Sequence, residues 1–218
     1  MDRFLFDTAA DAPQWASTLI GSRRTTLPKR MQGPGPDASQ LRQILESAGA
    51  APNHDQILPW RFVIVPGEAR ACLASAFEQA LLERDPLATT DQREQAREKA
   101  FRSPLLMLAI VRLHDAADGD AHGAASAGGI TPSERYVSAG CAIQNMLLMA
   151  TAQSYGSALT SGKALQSAPL RALFSLGGNE EALCFINIGT IASQRPQRNR
   201  PLPDRYVTTL APLPQDTP

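Results

Sequence analysis

The longest uninterrupted apolar run in the chain, Leu-Leu-Met-Leu-Ala-Ile-Val at residues 105–111, is bracketed by Pro104 and Arg112. It falls far short of the roughly 20 apolar residues that cross a bilayer. It shows no alternation, so a strand made from it has no face to give to water; it fits only a sheet that is covered on both sides. The chain carries covers of the right kind. Residues 67–84 read as an Ala- and Leu-rich helix, and a helix over 132–154 has a core, residues 139–150, that is apolar nearly all round. A helix of that pattern is buried within a protein or at a subunit interface.

Local signals divide the rest. Asp11 precedes apolar residues at helical spacing and predicts a capped helix over 13–22, which ends at Arg23-Arg24-Thr25. Residues 27–36 carry Pro28, Pro34, Pro36, Gly33 and Gly35 and read as loop. Asp37 with Gln40 forms a capping-box pattern that opens a helix to about residue 50. Pro52 and Pro59 then impose an irregular segment before a strand at 61–65. Pro86 separates helix 67–84 from a charged helix at 90–101, in which Glu94 and Arg97 are spaced to pair. A loop at 114–130, a short strand or turn at 156–162, a short helix at 167–174 and a strand at 182–189 complete the chain. Strands separated by helices in this way argue an α/β or α+β fold, a small sheet covered by helices. The expected division is an N-terminal extension at 1–14, one domain at 15–195 and a tail at 196–218. That tail holds six of the chain's 17 prolines, so it is expected to lie extended over the surface or over a partner subunit.

Charge narrows the function. The 21 basic side chains balance the 21 acidic ones, which leaves no electrostatic footprint for nucleic acid or an anionic membrane. Small molecules and other protein chains remain as partners. Cys72, Cys141 and Cys184 are odd in number and widely spaced, and are expected to be reduced core residues. With no signal-peptide pattern at the N-terminus, the expected location is the cytoplasm. His114, Asp115, Asp118, Asp120 and His122 crowd one loop, but they lack the ordered spacing of a calcium loop or a zinc site; a solvated loop with no metal is expected. The glycine-rich loops that cradle phosphates in dinucleotide-binding and P-loop folds are missing, and so is the Gly-x-Ser-x-Gly turn of hydrolases.

What remains is a set of ordered blocks. Arg23-Arg24-Thr25 places two cations beside a hydroxyl, a set able to grip a phosphate, although cations at a helix C-terminus also complement its dipole. Ala51-Pro52-Asn53-His54 and Pro59-Trp60-Arg61-Phe62-Val63-Ile64-Val65 run a polar segment straight into a strand. Phe101-Arg102-Ser103-Pro104, the stretch from Ser138 to Met146, Tyr155 to Gly162, and Phe185 to Thr190 follow in order. Together these blocks resemble the nitroreductase family, over about residues 15–210, and most closely its compact branch of NAD(P)H nitroreductases.

The resemblance implies a nitroreductase-like fold with a small central mixed sheet, in an intertwined homodimer with two FMN sites. It implies cofactor-binding roles for Arg23, Arg24 and Thr25 at the FMN phosphate and for Asn53 and His54 along the flavin. Leu159, Thr160 and Ser161 match the turn that meets the isoalloxazine ring, and Arg198 and Arg200 resemble a second phosphate clamp. The implied reaction carries hydride from NAD(P)H, the co-substrate, through FMN N5 to a small-molecule acceptor such as a nitroaromatic or a quinone. The chemistry belongs to the cofactor, so no catalytic side chain is assigned. The chain departs from the family at Leu27, Ala50, Leu58 and Leu159-Thr160, where cationic, polar or aromatic residues are usual. Fewer cations beside a reduced, anionic ring imply weaker FMN binding and a more negative reduction potential, unless Lys29 or Arg30 folds back to compensate. The competing expectation is a flavin-binding dimer without reductase turnover, a cofactor store or interaction protein. A third is flavin-dependent oxidation or desaturation of a specific metabolite.

Overall fold

The computed structural model describes residues 11–114, 129–193 and 199–211. Among these residues six α-helices, α1 (Ala12–Ser22), α2 (Ala38–Ala48), α3 (Arg70–Arg84), α4 (Thr90–Glu98), α5 (Pro132–Ala152) and α6 (Ala168–Leu173), surround a five-stranded sheet. Its strands are β1 (Met31–Gln32), β2 (Trp60–Ile64), β3 (Leu105–Arg112), β4 (Gly156–Thr160) and β5 (Glu180–Ile191). β3 lies between β2 and β5, and the far edge of β5 is shared by β4 and β1. Every one of these ladders is antiparallel; the parallel component is a single bridge between Thr25 and Ser157.

The apolar run behaves as its lack of alternation requires. Leu105, Met107, Ala109 and Val111 face one core with residues of α2 and α5, while Leu106, Leu108 and Ile110 face a second core with α3 and α6. In β5, Cys184, Ile186 and Ile188 join the first core and Ala182 and Phe185 the second, with a register shift opposite Ala109 and Ile110. Three helices open on reciprocal caps: Asp37 with Gln40, Thr89 with Gln92, and Thr131 with Glu134. Each satisfies N–H groups that a helix start leaves unpaired.

Some expectations need correction. Asp11 stands at the start of α1 in a helical conformation and its side chain makes no capping hydrogen bond. Cys72 is exposed on α3 and Cys141 is half-buried, so Cys184 alone among the three is a core cysteine, with its thiol pushed up to about 11 by burial. The loop at 27–36 holds a 3-10 turn at Pro28–Arg30 and the two-residue strand β1, which proline spacing could not announce. Glu94 and Arg97 do approach, at 3.9 Å, but Arg97 and Arg93 both bind Glu78 of α3 far more closely, at 2.8 and 2.6 Å. No helix among the described residues is long and apolar enough to cross a membrane. The crowded loop of Asp115, Asp118, Asp120 and His122 lies outside the described residues, as does Arg198.

Candidate flavin site

α1 runs out at Ser22, and the backbone beyond it becomes extended because Thr25 bridges to Ser157 on the outer edge of β4 and Thr26 N–H donates to Ser157 O at 2.9 Å. This pairing is close. A Cβ on Gly156 would lie 2.8 Å from Thr26 Cβ and 2.9 Å from Ile191 Cγ1, so a side chain there would push the Arg23–Thr26 segment off the strand. The result is an open groove of about 800 Å³. It is lined by Ser22, Arg23, Arg24, Thr25 and Leu27 after α1, by Thr151, Ser154, Tyr155 and Gly156 between the end of α5 and the start of β4, and by Asn199, Arg200 and Pro201 of the tail. Arg30 also lines it, because the loop folds back through Arg30 N–H to Leu27 O and Ala192 N–H to Arg30 O. Among the described residues, four arginines and no acidic residue line this groove. That donor set fits a phosphate monoester, and the volume suits a mononucleotide.

The other predicted residues lie further along β4, beyond the groove's lining. Leu159 stands two residues beyond the Thr25 bridge, about 7 Å further along the strand, and it is half-exposed. Thr160 is fixed from behind: its Oγ1 accepts from Asn187 Nδ2 at 3.0 Å, and Ser103 Oγ donates to Asn187 Oδ1 at 2.9 Å. Ser161 is exposed just past the strand end. Arg200 lines the groove and also binds the end of α1. Its guanidinium donates to Arg23 O at 2.8 Å and to Gly21 O at 3.5 Å, capping the C-terminal carbonyls of α1. It thereby neutralises the negative end of the α1 dipole at the place where an anion would sit.

Asn53 and His54 lie elsewhere. His54 Nδ1 is 3.3 Å from Glu134 Oε1, at the first turn of α5, whereas Thr151 of the groove is in its last turn. The 17 helical steps from Glu134 to Thr151 on α5 correspond to about 26 Å, more than one flavin mononucleotide spans. Two Thr131 hydrogen bonds, from backbone and hydroxyl, and then His54 hold the Glu134 carboxyl below its usual range. Asn53 Oδ1 is spent on Leu58 N–H at 3.0 Å. Within one chain, then, the predicted residues form two groups, Arg23, Arg24, Thr25, Leu159, Thr160, Ser161 and Arg200 along β4, and Asn53 and His54 at the far end of α5.

Sequence reasoning missed Thr151, Ser154 and Tyr155, although their position at the end of α5 was legible. It also missed Glu134, Arg112 and Asn187, which hold the site from 27 to 84 residues away and leave no local signal.

The model of the nitroreductase family matches residues 20–190. The Escherichia coli K12 protein named "Putative NAD(P)H nitroreductase YdjA" is 28% identical over 177 residues, which cover 80% of this chain and 87% of that one. A similarly named Haemophilus influenzae protein is 26% identical over 175 residues, 80% of this chain and 88% of its own. Among solved structures, a nitroreductase-like family protein from Bacillus cereus superposes with a TM-score of 0.70 at 17% identity, covering 96% of this chain and 99% of that one. A variant of NfnB from Sphigopyxis sp. strain HMH, described as an FMN and NADPH-dependent nitroreductase, gives a TM-score of 0.67 at 17% identity over 90% of this chain and 99% of its own. With the fold shared along almost its whole length and the family's sequence pattern matched over most of it, the chain belongs to the nitroreductase family.

Proposed function

We propose that this oxidoreductase binds FMN in the groove of Arg23, Arg24, Thr25 and Arg30 and uses it to pass hydride from NAD(P)H to a small apolar acceptor such as a nitroaromatic or a quinone. The observation that carries the reading is a groove lined, among the described residues, by four arginines and no acid, against the start of β4, the strand that leads on to Leu159 and Thr160. Bound flavin supplies the hydride chemistry, taking and giving it at one ring atom. The chain's residues bind and orient. Arg23, Arg24 and Thr25 hold the phosphate; Arg200 keeps the α1 carbonyls from repelling it; the half-exposed leucines 27 and 159 flank the ring with apolar surface.

The separation of the two residue groups supports a site built from two chains, with Asn53 and His54 of one protomer meeting the groove of the other across a two-fold axis. α1 supports the same assembly. None of its residues is buried within the chain, and Trp15 and Ile20 are 65% and 57% exposed. An 11-residue helix that buries nothing has little to hold it folded. A second copy laid over α1 gives it that burial.

The reading is tested by FMN titration followed by flavin fluorescence and by light scattering of the complex. Two FMN per dimer are expected, with Arg23→Ala weakening binding by about tenfold to a hundredfold. A monomer that binds no FMN, or an Arg23→Ala variant with unchanged affinity, contradicts it. FMN bound at that stoichiometry but not reduced by either nicotinamide nucleotide would favour the cofactor-store reading, which the loss of charge at Leu27 motivates.

A further inference from the structure

Between Asn53 and Pro59 three residues without the freedom of glycine, Asp55, Gln56 and Leu58, have φ of 50, 55 and 48°. Asp tolerates the left-handed region by bonding locally, but a bulky apolar side chain does not. Leu58 in that conformation persists only because its surroundings impose it. They do so on both sides of the residue. Its N–H donates to Asn53 Oδ1 at 3.0 Å, and its carbonyl accepts from Arg112 Nη2 at 2.6 Å. Arg112 closes β3, and its own N–H donates to Pro59 O at 2.8 Å, so the grip is backed by the sheet. Leu58 gains no core burial in return, since it is 47% exposed. The next anchor along the loop is His54, held at Glu134.

We propose that Arg112 is a positioning residue: with Asn53 it locks Leu58 in the left-handed conformation and so fixes how the loop presents His54 and its backbone to the flavin. The assignment rests on the reading of Asn53 and His54 as the flavin-facing segment. Arg112 touches no cofactor; it acts through the Leu58 carbonyl, a charge-assisted bond of the stronger kind. Arg112 also faces Glu180 and helps to hold that carboxyl down. The test must separate the two roles.

Leu58→Gly separates them, because glycine enters the left-handed region without the side-chain penalty and does nothing for Glu180. In the full-length protein, Arg112→Met is expected to weaken FMN binding by about tenfold and to speed amide exchange at Ile57 and Leu58. The double variant Arg112→Met with Leu58→Gly is expected to return to within about threefold of wild-type affinity. Wild-type affinity in Arg112→Met, or a double variant no better than Arg112→Met, overturns the proposal. Should the wild-type protein bind no FMN, the flavin reading fails by itself, and exchange at Ile57 and Leu58 decides the clamp: faster exchange in Arg112→Met upholds it and unchanged exchange overturns it.

Discussion

At the scale of single residues the groove depends on one close approach. Gly156 lets the segment after α1 pair against β4, and Ala in its place would bring a Cβ to 2.8 Å from Thr26 Cβ. Gly156→Ala is therefore expected to cost about 1–3 kcal/mol of stability in chemical denaturation and to weaken FMN binding, since Arg23 to Thr25 are displaced together. Unchanged stability would mean that the segment is free to shift. The same scale limits what motif reading reveals. Arg23, Arg24 and Thr25 stood out because the donors of a phosphate grip can be adjacent in sequence, and in the structure the three line one groove. Arg200 was legible as a cation, but not as a cap on α1, because its partners are two backbone carbonyls about 180 residues away, Gly21 and Arg23. Asn53 was legible as polar; that its oxygen is used inside its own loop follows from Leu58 having a positive φ, which the residue's identity argues against.

At the scale of elements the hydrophobic pattern carried most of the fold. The run at 105–111 became a strand between two cores, and the Asp37 and Gln40 pattern became a reciprocal cap. β1 escaped notice because two residues carry no period, and β5 extends beyond the apolar stretch at 182–189 because its ends are held by edge pairing with β1 and by Glu180. Arg61 of β2 reaches across β3 to Glu180 of β5, with Nε to Oε1 and Nη2 to Oε2 both at 2.7 Å. The Arg61 hydrogen bonds hold the Glu180 carboxyl below its usual value of 4.5. A carboxyl depressed on folding adds stability above its unfolded value, and that stability is lost as pH falls through the folded value. Glu180→Gln should lower stability near neutral pH by about 1–2 kcal/mol, a figure discounted because the guanidinium is partly in water. It should also flatten the loss of stability below pH 4.5, which thermal unfolding across pH 3 to 7 would read directly. Equal acid sensitivity in both proteins would show that other carboxyls govern it.

At the scale of the whole molecule the proposed site is one shared with a second copy of the chain. No residue of α1 is fully buried within the chain, the described part of the tail from Asn199 to Ala211 is exposed throughout, and the groove of Arg23 to Thr25 and the contact of His54 lie at opposite ends of α5. Trp15→Glu, which places a charge on the exposed face of α1, is expected to shift the protein to monomers in light scattering and to reduce FMN occupancy with it. Full occupancy in a monomer would mean that one chain suffices. The family resemblance implied FMN sites shared between two chains, but not that the groove of Arg23 to Thr25 and the contact of His54 lie at opposite ends of the 21-residue α5, because sequence order carries no distance. The central claim, flavin-mediated hydride transfer, is tested most directly by the visible absorption spectrum of the FMN-loaded protein before and after anaerobic addition of NADH or NADPH. The account predicts oxidised-flavin bands that bleach with at least one nucleotide and return when a quinone or nitroaromatic is added. Bands that persist with both nucleotides would contradict it.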